Sequence, residues 1–176
     1  MKPVPVSPLL HNFLQESLPL GLAIGTEKAR SEMIIAPVLV EVRRQCAHQV
    51  SLHSGNDFLV DAGKGLRGTF DFLLCQSPEQ LVIEAPVIAV VEAKNENIKQ
   101  GIGQCIALMV AARLFNAQNK SEVPVVHGVV TAGNVWKFLR LENDVITVDL
   151  SEYFINEVER IVGILLNMVR PAAGQG

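Results

Sequence analysis

Pro86-Val-Ile-Ala-Val-Val-Glu-Ala-Lys94 is the stretch of this 176-residue chain that decides its fold. Residues 87–91 are short, apolar on both faces and rich in β-branched side chains, which predicts a central strand covered on both sides. Strand alternation then places Glu92 and Lys94 on the same face, where the strand leaves the core. A carboxylate and an ammonium there can hold a divalent cation and a water molecule side by side. Alone the pattern is weak, because chance gives about one Glu-x-Lys in most chains this long.

A second acid, Asp71, strengthens that interpretation. It stands in Gly68-Thr-Phe-Asp-Phe-Leu-Leu74, where its predicted strand neighbours are apolar, so its carboxylate either enters a core or faces a partner. Two bare carboxylates on neighbouring strands would repel each other. A cation between Asp71 and Glu92 resolves the conflict. Oxygen ligands of this kind favour Mg²⁺ or Mn²⁺ over zinc.

Hydrophobic periodicity predicts the elements around these acids. Thr26 is an expected N-cap for a helix running to about His48, with a kink or a break at Pro37. A β-hairpin or a pair of adjacent strands is expected on either side of the turn 61–65, with residues 50–54 and 58–60 before the turn and 66–74 after it. The later elements are predicted as helix 97–117, strand 123–131, strands 135–141 and 145–148, and an amphipathic closing helix within 152–169.

On Asp71, on Glu92-x-Lys94, on the helix after them and on the order αβββαβ, the chain resembles the PD-(D/E)XK nuclease superfamily over roughly residues 26–148. The residue before Asp71 is Phe70 rather than proline, as in divergent members. The resemblance implies an α/β fold with a restriction endonuclease-like core, in which helices flank a central mixed β-sheet. A further C-terminal hairpin and helix would follow that core.

The same resemblance implies a single domain of residues 1–176 with a core of about 26–150, an N-terminal extension 1–25 and a flexible tail 171–176. It implies a Mg²⁺-dependent nuclease that hydrolyses phosphodiester bonds in DNA, related to restriction or repair. Relatives of this fold often dimerise to cut both strands, so a homodimer is one expectation.

By resemblance, Asp71 and Glu92 ligate the metal with the Ala93 carbonyl, and Lys94 orients the attacking water and stabilises developing charge. Glu32 on the first helix would complete the metal shell, and Gln104 on the second helix would lie near the lysine. Three basic residues are expected to grip the nucleic-acid backbone: Lys64, Arg67 and Lys99.

Simpler interpretations stay open for several of these residues. Asp71 can be a strand acid bonded to a backbone amide, and Glu32 an ordinary exposed helix acid. Gln104 lies on a helix that is apolar on its Ala107, Ala111 and Phe115 side. An unrelated α/β protein would make the acids incidental.

Composition limits the choice of function. A net charge of -3 and a pI near 5.8 argue against a protein that coats nucleic acid through a strongly basic surface. The lack of such a surface favours an alternative, a catalytically silent nuclease-fold subunit that binds nucleic acid or a protein partner. Three widely spaced cysteines predict buried free thiols in a reducing compartment. Without a predicted membrane span, the cytoplasm is the expected location.

Overall fold

The structure is a computed structural model that describes residues 2–55, 57–61 and 66–170, with the side chains of 2–55 and 69–170. Three subjects of the sequence predictions lie outside the described residues: the turn residues 62–65 with Lys64, the side chain of Arg67, and the tail 171–176.

The described residues form helices and strands that alternate along most of the chain. In order they are α1 (Pro8–Ile24), α2 (Glu27–Arg30), a π-helix (Ser31–Ile35), α3 (Ala36–Gln45), β1 (Ser51–Ser54), β2 (Asp57–Asp61), β3 (Leu66–Thr69), β4 (Phe72–Cys75), β5 (Val87–Ala93), α4 (Ile98–Gln118), β6 (Val125–Thr131), β7 (Val135–Glu142), β8 (Val145–Val148), β9 (Tyr153–Phe154), a 3₁₀-helix (Ile155–Glu157) and α5 (Val158–Val169).

A mixed, mostly antiparallel sheet forms the centre of the molecule. Its strand order is β1-β4-β5-β6-β7-β8, with β9 paired to β7. Among the described strand pairs, β5 and β6 alone are parallel, and α4 connects them. One core contains residues of α1, α3 and α5, and the second contains residues of α4. The predicted α/β class, with a mixed sheet flanked by helices, is confirmed.

β5 is buried along its whole length, as its sequence predicts. Side-chain hydrogen bonds attach helix α4 to the start of β5. Near the C-terminus of α4, Asn116 donates from Nδ2 to the Val87 carbonyl (2.8 Å) and accepts from the Val87 N–H (2.7 Å). This amide pair attaches the end of α4 to the first residue of β5.

The structure corrects the predicted strand 66–74. β3 ends at Thr69 and pairs with β2 in a separate two-stranded sheet, whereas β4 begins at Phe72 in the main sheet. Asp71 therefore lies in the bend between two strands and not inside one. The chain changes sheets there, and the Asp71 carbonyl accepts a hydrogen bond from the Gly55 N–H (3.0 Å).

The first predicted helix is confirmed with its interruption. The Thr26 hydroxyl accepts from the Ala29 N–H (3.1 Å), as expected of an N-cap. The helix passes through the π-helical turn before Pro37, which stands in the first turn of α3. A proline there loses no hydrogen bond within α3 but interrupts regular α-helix before it.

Helix α1 was not among the elements predicted from the sequence. This helix contains Pro19, and a proline costs about 3 kcal/mol in a helix interior. Burial of Leu10 and Leu14 in the first core offsets that cost. Helix formation here therefore depends on tertiary contacts.

α4 is the one helix among the described residues that is long and apolar enough to span a membrane by length and composition. Here Cys105, Met109 and Ala112 are buried on one side of the helix, in the core it forms with the sheet. The three cysteines are free, as predicted; Cys75 and Cys105 are buried, and Cys46 is half-buried.

Glu41 of α3 is a buried carboxylate that connects two helices. It is 3% exposed and accepts from the Ser7 N–H (3.0 Å) and hydroxyl (2.7 Å), from Arg44 and from Gln45. The Arg44 hydrogen bond, helped by Gln45 and Ser7, lowers the pKa of Glu41 to about 2 although burial opposes the shift. Ser7 also caps α1, so Glu41 fixes the start of α1 to α3.

The substitution Glu41→Gln should lower the free energy of unfolding at pH 7 by about 3 kcal/mol, from a pKa lowered from 4.5 to about 2. A carboxyl group with a lowered folded-state pKa stabilises the protein above pH 4.5, and that stability is lost as pH falls toward 2. Urea unfolding at pH 7 and pH 3 measures both effects. Glu142→Gln, at a half-exposed acid, is the control and should change stability by less than about 0.5 kcal/mol. An equal loss at both pH values would contradict this account of Glu41.

Candidate active site

The structure brings Asp71 and Glu92 to the same end of two neighbouring strands. Antiparallel pairing of β4 and β5 aligns Phe72 with Val91, so the acids that follow in each direction are adjacent. Asp71 Oδ2 accepts a hydrogen bond from the Ala93 N–H (2.7 Å), which directs its carboxylate toward β5. The predicted bond to a backbone amide and the predicted proximity of the two acids are both present.

Glu92 is buried, and its charge is incompletely compensated. Burial raises the pKa of its carboxyl group above the usual value; the negative charges of Asp71 and Glu27 raise it further, and the Lys94 hydrogen bond lowers it. A buried carboxylate with two acidic neighbours favours the approach of additional positive charge. A cation beside Glu92 would therefore offset part of the negative charge of this site.

Lys94 follows β5 directly and faces back along it. Its Nζ lies 2.7 Å from Glu92 Oε1, so the two residues share a face as predicted. Burial lowers the pKa of Lys94, but the Glu92 hydrogen bond and charge, with smaller contributions from Glu27 and Asp71, outweigh burial and raise it. The ammonium is therefore protonated at neutral pH.

Glu27 is a site residue that the sequence analysis missed. Its Oε2 lies 3.9 Å from Lys94 Nζ, in the first turn after the Thr26 cap. Glu32, the acid predicted from this helix, instead pairs with Lys28 (3.1 Å) and is 59% exposed on its side chain. Of these two acids, Glu27 alone forms an ion pair with Lys94. The position of Glu27 directly after the cap was the available signal.

Helix α2, the π-helix that follows it and the start of β4 border a cleft of about 320 Å³ beside Asp71, Glu92 and Lys94. Its acidic lining residues are Glu27, Glu32 and Asp71, and its one basic lining residue is Lys28. Glu32 thus lies near the site although it does not contact Lys94, and its role as a metal ligand stays a prediction. The excess of acids suits a cation better than an unaccompanied phosphate.

Helix α4 packs against the other side of the Lys94 side chain at Gly101. A Cβ at this position would lie 2.7 Å from Val130 Cγ1 and 3.1 Å from both Cγ and Cε of Lys94. Glycine therefore leaves the space that the lysine side chain occupies. The side chain of Gln104, predicted near the lysine, is exposed and forms no hydrogen bond within the described part of the chain. Lys99 is exposed in the first turn of α4.

The carboxylate oxygens of this site suit a hard divalent cation, but only a few of them are available as ligands. Across residues 2–55 and 69–170, no three His, Cys, Asp or Glu side chains form a complete metal cage. Mg²⁺ commonly uses one or two protein carboxylates and completes its octahedron with water and substrate phosphate. Asp71 and Glu92 meet that smaller requirement. Ligation by the Ala93 carbonyl stays a prediction, since the hydrogen bond that holds Ala93 to Asp71 involves its N–H.

Comparison with known proteins adds no assignment. No protein-family model, curated protein or solved structure matches this chain. The interpretation of the site therefore depends on its own residues.

The two glycines of α4 give a matched pair of variants. Gly101→Ala should destabilise the protein by about 1–3 kcal/mol, because its methyl group overlaps Val130 and Lys94. Gly103→Ala meets no atom within 4 Å and should stabilise it by about 0.4–1 kcal/mol through helix propensity. Denaturant midpoints measure both changes. Equal effects of the two substitutions would contradict the close approach of Gly101 to Lys94.

Proposed function

We propose that this protein is a Mg²⁺- or Mn²⁺-dependent nuclease of the PD-(D/E)XK type that hydrolyses phosphodiester bonds in DNA. The observation that carries the proposal is the convergence of Asp71, Glu92 and Lys94 at one end of β5. The Asp71–Ala93 bond and the Glu92–Lys94 ion pair, each 2.7 Å long, bring the three groups to one place. Two carboxylates beside a protonated lysine are the groups that metal-assisted phosphodiester hydrolysis requires.

The order of the elements supports a restriction endonuclease-like core. The elements α3, β1, β4, β5, α4 and β6 follow the sequence αβββαβ, and the four strands are consecutive neighbours in the sheet. The ribbon of β2 and β3 would be an insertion after the first core strand. The strands β7 and β8 and the helix α5 would be the additional C-terminal hairpin and helix.

In the proposed reaction Asp71 and Glu92 would hold the metal ion. When bound, the ion supplies a Lewis acid that polarises the scissile phosphate and lowers the pKa of water. Lys94 donates from its protonated Nζ toward phosphate oxygens and offsets the negative charge that develops on them. Glu92 and Glu27 restrict where that ammonium can lie.

Nucleic acid would contact this protein locally. Lys99 is exposed close to the N-terminus of α4, the helix that packs on Lys94. Arg67 belongs to β3, which ends just before Asp71, and Lys64 stands between β2 and β3 in the sequence, outside the described residues. We propose that these three residues contact the phosphate backbone. We further propose that the protein is cytoplasmic and does not bind a membrane. A homodimer is compatible with cutting both strands.

A second candidate is a catalytically silent nuclease-fold subunit that binds nucleic acid or a protein partner. It is favoured by the way the chain satisfies its own site. Asp71 accepts from Ala93, and Glu92 is paired with Lys94. Such a site can persist without a metal if its charges serve stability alone.

The nuclease proposal predicts that Asp71→Asn, Glu92→Gln and Lys94→Met each reduce DNA cleavage in Mg²⁺ by at least about 100-fold, since each removes a group needed at the reacting phosphate. Nicking of supercoiled plasmid measures the activity, and circular dichroism checks the fold. Glu142 is the last residue of β7 and pairs with Val125, at the end of β6 away from Thr131, so Glu142→Gln should keep full activity. Full activity in any of the three site variants would reject the assignment.

Metal binding separates the two candidate functions. Calorimetry with Mn²⁺ should detect one site in the wild-type protein, and Asp71→Asn or Glu92→Gln should abolish it, because each removes a charged oxygen ligand. Glu142→Gln should bind as the wild type does. A well-folded wild-type protein that binds no Mn²⁺ would favour the silent subunit.

A further inference from the structure

Arg30, the last residue of α2, is a buried cation that lacks an acidic partner. It is 7% exposed and forms no ion pair within the described part of the chain. Its Nη1 donates to the Ala132 carbonyl (2.8 Å) and to Asn134 Oδ1 (3.1 Å). Its Nε is buried with no acceptor among the described residues. A buried charge held by neutral acceptors is costly, which indicates that this contact has a use beyond filling space.

The acceptors of Arg30 belong to the turn between β6 and β7. This turn is held internally, because the Thr131 hydroxyl accepts from the Gly133 N–H (2.9 Å) and donates to the Val135 carbonyl (2.8 Å). The Trp136 indole also donates to the Gly133 carbonyl (2.8 Å). Gly133 has a φ of +81°, and a Cβ there would meet Ile34 at 3.1 Å. The turn is thus held in one conformation, and the π-helix packs against it through Ile34.

The same strand end holds Lys94. The Lys94 N–H donates to the Thr131 carbonyl (2.8 Å), one residue before the carbonyl that Arg30 contacts. Glu27 precedes Arg30 by three residues, which places the two on neighbouring parts of the same helix surface. Glu27 and Lys94 therefore reach each other from two segments that are attached to consecutive residues, Ala132 in the turn and Thr131 at the end of β6.

We propose that Arg30 is a positioning residue: by holding α2 to Ala132 and Asn134, it fixes the Glu27 carboxylate beside the Lys94 ammonium. The consequence for the site rests on the proposed function. Arg30 itself touches no reacting group, and it acts through the helix that carries Glu27. Loss of its two hydrogen bonds releases α2 from the strand end, so that Glu27 no longer restricts Lys94.

Two variants weaken this clamp to different degrees. Arg30→Met removes both hydrogen bonds and keeps an unbranched aliphatic side chain, shorter than that of arginine. Asn134→Ala removes one acceptor and leaves the Ala132 carbonyl, so it keeps the proposal testable if Arg30→Met fails to fold. Arg30→Lys retains a cationic donor and should restore part of each effect. Arg160→Met is the matched control, because Arg160 is a half-exposed arginine paired with Glu157 on the surface.

Native-state hydrogen exchange tests the clamp without any metal. In Arg30→Met and Asn134→Ala the Ser31 amide, which donates to the Glu27 carbonyl at the end of α2, should exchange about tenfold faster or more, because α2 is released from the strand end. The Val87 amide of β5, held by Asn116, should keep its wild-type rate. An unchanged Ser31 rate in either folded variant would overturn the proposal.

Mn²⁺ affinity tests what the clamp does for the site. The dissociation constant should rise by about 10- to 100-fold in Arg30→Met, as for other residues that orient a metal site indirectly, with partial recovery in Arg30→Lys. Faster exchange at the Ser31 amide with unchanged Mn²⁺ affinity would overturn positioning and leave a structural contact. If the wild-type protein binds no Mn²⁺, the nuclease proposal fails, and the exchange rates alone decide whether Arg30 holds α2 to the Lys94 strand end.

Discussion

β5 lies with apolar side chains against helices on both sides of the sheet, and this double burial constrains everything around it. Residues 87–91 leave no room for charge, so polar groups are confined to the two ends of the strand. At the first end, Asn116 satisfies the peptide of Val87. At the other end, Glu92 and Lys94 compensate each other, and the bend at Asp71 closes over the Ala93 N–H. The candidate site therefore lies where β5 leaves the apolar core and its first charged side chains follow.

Much of the fold could be predicted because its signals are local. The apolar run before Glu92, the Thr26 cap and the helical periodicity after Asn97 each depend on neighbouring residues. The predictions were wrong or missing where tertiary contacts override local preference. The change of sheets at Asp71 and the helix around Pro19 are two such places.

The candidate site was predicted in part for the same reason. Alternation along one strand suffices to pair Glu92 with Lys94, and the structure places Asp71 beside them. The choice between Glu27 and Glu32 depends on which side of a helix meets a distant strand end, which one sequence does not encode locally. Arg30 carried no signal at all, since its acceptors lie more than a hundred residues away.

The pairing of Asn116 with Val87 also bears on how this chain can change during evolution. It fixes the far end of α4 to β5, while Gly101 near the other end must face Lys94. One residue inserted between Gly101 and Asn116 would rotate one relative to the other by about 100°, so that either the glycine or the asparagine would lose its partner. Length variation among descendants should therefore be excluded from this part of α4. It should accumulate instead in the ribbon of β2 and β3, whose strands pair only with each other.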